Sequence, residues 1–283
     1  MLFEKWNALG NDYVIVEAEQ LPWPLTPARV RALCEPHSGI GSDGVLLISR
    51  PADPGFVADL RIFNPDGSEA ELSGNGAREA IMYLRRAGWT DADEFAIHTG
   101  AGAIRPQITG PDTCRVDMGT AALSSEAFPA GGADGRGVLR AAGREWQFQH
   151  VSIGNPQCAI AVEELDELEA LDLSAIGPAI EHHELFPQRT NVSWFTALDG
   201  GVVRARIFER GVGETMSSGT GACGAAIAHV RRGGASPVTV RLDGGDLVVE
   251  VDEHLNVTLT GWARPVYRGE LSAELIKELD AAQ

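Results

Sequence analysis

Two serines set in near-identical phrases are the residues of this sequence whose type and setting could do chemistry. Glu71-Leu72-Ser73-Gly74-Asn75-Gly76-Ala77 is answered by Met216-Ser217-Ser218-Gly219-Thr220-Gly221-Ala222. Each serine stands where a helix-like run begins, Ala77 to Arg86 in one copy and Ala222 to Arg232 in the other. A helix start has unpaired backbone N–H groups and partial positive charge, and glycines let a ligand come close to them. Gly74, Asn75, Gly219 and Thr220 are therefore candidate carboxylate binders. Two such ends facing each other would form an anion clamp with a hydroxyl on either side. Both runs are also expected to be core helices whose glycines serve close packing.

Polar residues gather at nearby turns: Asn11, Asn64, Asn155, Asn191, Glu209 and Arg210. One asparagine alone reads as a turn former. Together they suggest a pocket for a zwitterion, with Glu209 for the ammonium and Arg210 for the carboxylate. Glu79 falls ~9 Å down the first helix from Ser73. It reads as a surface or interdomain charge rather than a replacement acid. His182 and His183 are adjacent and point apart, so no metal is assigned to them.

The elements that would position these residues are written twice. Arg61-Ile62-Phe63 returns as Arg206-Ile207-Phe208, and 206 − 61 = 218 − 73 = 209 − 64 = 145. Leu9-Gly10-Asn11 is echoed by Ile153-Gly154-Asn155, a shift of 153 − 9 = 144. A near-constant shift over so much chain indicates two domains of one fold. Each copy is strand-rich with one long helix, which predicts an α+β fold of two pseudo-symmetric domains. We expect a hairpin over residues 1–17, a helix from Thr26 to Cys34 capped by Thr26, and further strands through each half. The first domain is placed at 1–120, a Gly/Ala/Ser-rich crossover at 121–145, the second domain at 146–268 and a terminal surface helix within 269–283.

Composition narrows the function. The net charge is −17 over 283 residues. With no basic block, nucleic acid and anionic membranes are not expected partners. No apolar run approaches the ~20 residues that span a bilayer, and no secretory signal is visible. Cys34, Cys114, Cys158 and Cys223 lack zinc-site spacing and disulfide density, and read as buried thiols of a cytoplasmic protein.

At this point a resemblance appears. The segments LGNDYVIVE (9–17), GIGSDG (39–44), NPDGSEAELSGNGAR (64–78), VSIGNPQ (151–157), LFPQRTNV (185–192) and ERGVGETMSSGTGAC (209–223) resemble the diaminopimelate epimerase family. These are pyridoxal-free amino-acid epimerases of lysine and peptidoglycan synthesis. The resemblance implies a barrel-like sheet around a central helix in each half, an active site in the interdomain cleft, no cofactor, and often a homodimer. It further implies that Gly74, Asn75, Gly219 and Thr220 hold the carboxylate at the reacting carbon. Asn11, Asn64, Asn155, Asn191, Glu209 and Arg210 would hold substrate, mostly at its distal end.

The departures bear on the chemistry. The family carries a catalytic cysteine at the positions of Ser73 and Ser218, and a histidine at that of Gln157. That histidine and the glutamate matching Glu209 help activate the thiols. Family members often carry glutamine at the position of Gly44. A cysteine titrates near ~8.5 and can be lowered further at a helix start, whereas a serine hydroxyl is far less acidic and depends on a partner base. Little or no turnover is expected by the two-thiol route. The catalytic set is therefore Ser73, Ser218, Glu209 and Gln157, acting at the α-carbon of a diaminopimelate-like amino acid. Two alternatives stand beside it: a lyase or isomerase using Glu209 as base, and a non-catalytic amino-acid binder.

Overall fold

The computed structural model describes residues 1–71 and 73–282; Leu72 of the first serine phrase and Gln283 of the tail lie outside the described residues. The chain divides into two units, one built from 1–116 and 261–283, the other from 117–260.

The first unit begins with the expected hairpin, β1 (Leu2–Ala8) and β2 (Asn11–Glu17). The turn between them puts Leu9 and Gly10 at φ 55° and 86°, and Gly10 adopts that left-handed geometry without steric cost. Helix α1 (Pro27–Cys34) starts as its sequence dictates: Thr26 Oγ1 accepts from Arg29 N at 3.3 Å, and Pro27 fills the first position. Next come β3 (Val45–Ser49), β4 (Ala58–Phe63), β5 (Glu69–Ala70) and α2 (Gly74–Arg86). Three short strands follow, β6 (Ile97–Thr99), β7 (Gly102–Ile104) and β8 (Gln107–Ile108), and then β9 (Thr113–Thr120).

The second unit holds β10 (Arg136–Ala141), β11 (Arg144–Ser152), β12 (Pro156–Ala161), α3 (Leu165–Glu169) and α4 (Leu173–Glu181). It continues with β13 (Asn191–Ala197), β14 (Val202–Glu209), β15 (Gly213–Thr215) and α5 (Gly219–Arg231). It closes with β16 (Val238–Leu242), β17 (Gly245–Val251) and β18 (Asn256–Trp262). The chain then returns to the first unit through β19 (Arg264–Glu270) and α6 (Ala273–Ala281).

The two units share one strand order. In the first it is β19-β1-β2-β3-β4-β6-β7, with β2/β3 and β4/β6 parallel. In the second, β10-β11-β12-β13-β14-β16-β17-β18 repeats it, with β12/β13 and β14/β16 parallel. The long helix starts are 219 − 74 = 145 residues apart, the shift of the serine phrases. Within its own sheet α2 packs on β1, β2, β3 and β19, and α5 packs on β11 to β14, β16 and β17. Apolar residues line α5 on every side, and Ala222 to Ala228 are all buried.

Two local outcomes differ from expectation. Residues 136–141, within the stretch read as crossover, form strand β10 on β11. Residues 264–268, read with the second half, belong to β19, which pairs antiparallel with β1. Helix α6 is the expected terminal surface helix, docked by one face: Leu279 joins the cluster of Val14, Val30, Leu33 and Val45, with Leu275 and Ile276 packed against it. Arg29, 7% exposed, donates through Nε to the Leu279 carbonyl at 2.7 Å. No helix among the described residues is long and apolar enough to cross a membrane.

Candidate functional site

Each unit carries a half-site built on the start of its long helix. Ser73 is the N-cap of α2, and its Oγ accepts from Gly76 N at 3.1 Å. Ser218 is the N-cap of α5 and accepts from Gly221 N at 3.2 Å. Both serines have extended backbones, so the hydroxyl satisfies one of the orphan N–H groups of the first turn. The helices begin at Gly74 and Gly219, three residues before the apolar runs that announced them. The second glycine of each phrase has a packing reason. A Cβ on Gly76 would meet Leu46 Cδ2 at 3.1 Å, and one on Gly221 would meet Ile207 Cδ1 at 2.7 Å.

A hydrogen-bond chain ties each helix start to the Gly-Asn turn of its own unit. In the first, Arg78 donates to Asn75 Oδ1 at 2.5 Å and to the Gly74 carbonyl at 3.0 Å. Asn75 Nδ2 donates to Asn11 Oδ1 at 3.3 Å, and Asn11 Nδ2 to Asp43 at 2.8 Å. In the second, Gln157 Nε2 donates to Asn155 Oδ1 at 2.5 Å, and Asn155 Nδ2 donates to Thr220 Oγ1 at 3.2 Å. Asn11 with Asn75, and Asn155 with Thr220, are thus brought together as corresponding pairs. Gln157 is fully buried and directs its amide at Asn155, with its own Oε1 unpartnered.

Glu209 closes β14, with its carboxyl beside the Ser218 hydroxyl. Burial pushes this carboxyl above the ordinary glutamate range, and the Ser218 hydroxyl offsets part of that rise. The Arg210 backbone N–H donates to Asn191 Oδ1 at 2.8 Å, and its guanidinium donates to the Gln188 carbonyl at 2.9 Å. Asn64 is spent on its own turn: Nδ2 donates to Ser68 Oγ at 2.9 Å and the backbone N–H to the Ser68 carbonyl at 2.8 Å. Its repeat position matches Glu209, yet it makes a turn where Glu209 makes a contact with a cap serine.

Glu79 is not a surface charge. It is fully buried on α2, and burial pushes its carboxyl well above the usual range despite the Arg78 guanidinium nearby. All four cysteines are buried, and desolvation raises the thiols of Cys34, Cys114 and Cys158, the second to about 12.

Sequence reasoning passed over three contributors. Tyr13 Oη donates to Ser73 Oγ at 3.2 Å. Asp43 orients Asn11. Glu181 accepts from Gly211 N at 2.9 Å and pairs with Arg189 at 3.5 Å, holding the loop after Glu209. Tyr13 sat within an apolar strand run, which hid its hydroxyl, and Glu181 lies in a helix end with no motif of its own.

The arrangement can hold carboxylates at two helix starts and can move protons through a carboxylate–serine pair. Comparison with known proteins shows the family. The family model described as diaminopimelate epimerase matches residues 3–124 and 149–266. A curated diaminopimelate epimerase of Synechococcus sp. (strain JA-3-3Ab) is 41% identical over 276 residues, covering 94% of this chain and 96% of that protein. Among solved structures, a PhzF-family phenazine biosynthesis protein of Bacillus anthracis superposes with TM-score 0.68 at 18% identity, covering 96% and 99% of the two chains. A hydroxyproline epimerase of Agrobacterium vitis superposes with TM-score 0.66 at 17% identity, covering 95% and 91%. A duplicated sheet-and-helix unit and a match over nearly the whole length place the chain in the diaminopimelate epimerase family of isomerases.

Proposed function

We propose that this protein inverts the α-carbon of a diaminopimelate-like amino acid without pyridoxal phosphate, using serines backed by other groups where the family resemblance implies thiols. The observation that carries the reading is the half-buried Glu209 carboxyl set beside Ser218, the cap of α5. Serine alone is too weak an acid to shuttle the α-proton. With Glu209 behind it, Ser218 can take the proton at Oγ while passing its own to the carboxylate. The raised affinity of Glu209 for protons suits this task, because a base works best with a pKa near the operating pH. The helix starts at Gly74, Asn75, Gly219 and Thr220 would hold the α-carboxylate. Asn11, Asn155, Asn191 and Arg210 would hold the rest of the substrate, while Asn64 keeps to its own turn. Gln157 fits a positioning part, since its amide fixes Asn155. A cytoplasmic place in lysine synthesis belongs to the same proposal.

The test is incubation with LL-diaminopimelate in D2O, followed by NMR of the α-proton and of the meso product. Deuterium should enter at the α-carbon, and Glu209→Gln should slow that exchange by about 10²-fold or more. Calorimetric binding without exchange would turn the reading to a non-catalytic binder. Release of ammonia or water from β-substituted amino acids would turn it to a lyase.

A further inference from the structure

The two cap serines have different partners. Tyr13 Oη lies 3.2 Å from Ser73 Oγ, with the tyrosine only 5% exposed. Its ring occupies a seat that Gly44 leaves open. A Cβ on Gly44 would fall 2.6 Å from Tyr13 Cε1 and 2.3 Å from the Phe63 carbonyl oxygen. The duplication sharpens the contrast, because 157 − 13 = 155 − 11 = 144 makes Gln157 the counterpart of Tyr13. Gln157 turns to Asn155 instead, and Ser218 is served by Glu209. The counterpart of Glu209, Asn64, is occupied by its own turn. Among the described residues each serine therefore has a proton-carrying partner, drawn from non-equivalent positions: a phenol in the first unit and a carboxylate in the second.

We propose that Tyr13 is the positioning residue that supplies protons to Ser73, so that the first unit carries a donating half-site and the second an accepting one. This rests on the epimerase reading above. In the donating step the Ser73 Oγ–H bond breaks and a Cα–H bond forms with the electron pair of the α-carbanion. The Tyr13 Oη–H bond breaks in the same sense, its proton replaces the one Ser73 gave up, and Tyr13 is left as phenolate. Water then reprotonates the phenolate. The negative charge moves from carbon to a phenol oxygen, whose acid form titrates near ~10, far below an aliphatic alcohol. In the accepting step the α-proton passes to Ser218 Oγ as the Ser218 proton passes to Glu209, and that proton later leaves to water.

Two measurements decide it. The first needs no turnover. A thiol is introduced by Ser73→Cys with Tyr13 present or with Tyr13→Phe, and its alkylation by iodoacetamide is followed against pH. The native cysteines are buried, so the introduced thiol dominates the reaction. A donor hydrogen bond favours the thiolate, so Tyr13→Phe should shift the profile to higher pH and slow alkylation at neutral pH by about tenfold. Superimposable profiles would overturn the proposal. The second is isotope exchange with LL-diaminopimelate in D2O. Tyr13→Phe should keep Glu209-dependent exchange while inversion falls by about 10²-fold. Inversion at the parental rate and with the parental pH profile would also overturn it. A parent protein with no exchange at all would sink the epimerase reading, and the thiol profile would still decide whether Tyr13 serves position 73.

Discussion

A carboxyl group buried on a helix behaves differently from one that caps or pairs, and Glu79 makes the difference measurable. Its folded-state pKa is raised above the unfolded value, with burial as the largest cause and Asp12 and Asp43 adding to it. The native state therefore holds a proton that the unfolded chain has already released. Stability is full below the unfolded glutamate range and is lost as pH rises toward the folded value, at up to about 1.4 kcal/mol per pH unit. Glu79→Gln should flatten that slope, so melting temperatures of parent and variant recorded from pH 4 to 8 should diverge as pH rises. Parallel curves would mean that Glu79 is not buried in its neutral form. For Glu209 the sign acts on activity: the base must be ionised, so the rate should fall as pH drops through a pKa above ordinary glutamate. Gly44 offers a third test. Gly44→Ala must move either the Tyr13 ring or the Phe63 carbonyl, and overpacking of this kind costs about 1–3 kcal/mol in a denaturant titration. Glu79 was legible in position and not in environment. Counting down a helix places the side chain along the axis, but only the sheet packed against α2 makes that face interior.

At the scale of elements, the serines have a structural duty that any chemistry shares. Each caps a 13-residue helix, so Ser73→Ala and Ser218→Ala should each lower stability by about 1 kcal/mol, read by chemical unfolding. An unchanged midpoint would mean that the caps contribute nothing. These caps, the Thr26 cap and the β1–β2 turn were readable because their physics is local: a hydroxyl, a proline or a glycine within a few residues of the group it serves. Helix α6 was not readable as a docked element. Its partners Val30 and Leu33 lie far back in the sequence, and Arg29 reaches its C-terminal carbonyls across 250 positions. Arg29→Ala should release α6 and accelerate amide exchange over residues 273–281, while exchange in the second unit stays unchanged. Protection of α6 equal to that of the parent would refute the anchoring role.

Across the whole molecule, the repeat predicted two copies of one sheet, and the shared strand order is that repeat in physical form. The repeated Arg-Ile-Phe of β4 and β14 and the paired helix starts carried this information within each copy. The path of the chain between the units was less visible, because strand pairing depends on exposed N–H and C=O groups that every extended segment offers alike. Residues 136–141 and 264–270 are both short extended segments, yet one completes β11 and the other completes β1. The first unit is stitched where the chain leaves and returns: Ala263 N donates to the Asp112 carbonyl at 2.9 Å, and Arg264 pairs with Asp112.

The pairing of β1 with β19 fixes a timetable for synthesis. The ribosome makes the opening strand near the start and its outer neighbour some 260 residues afterwards, so the nascent chain carries an unsatisfied ribbon while everything in between is translated. The inserted unit can mature first, and the portion begun earliest must be finished last.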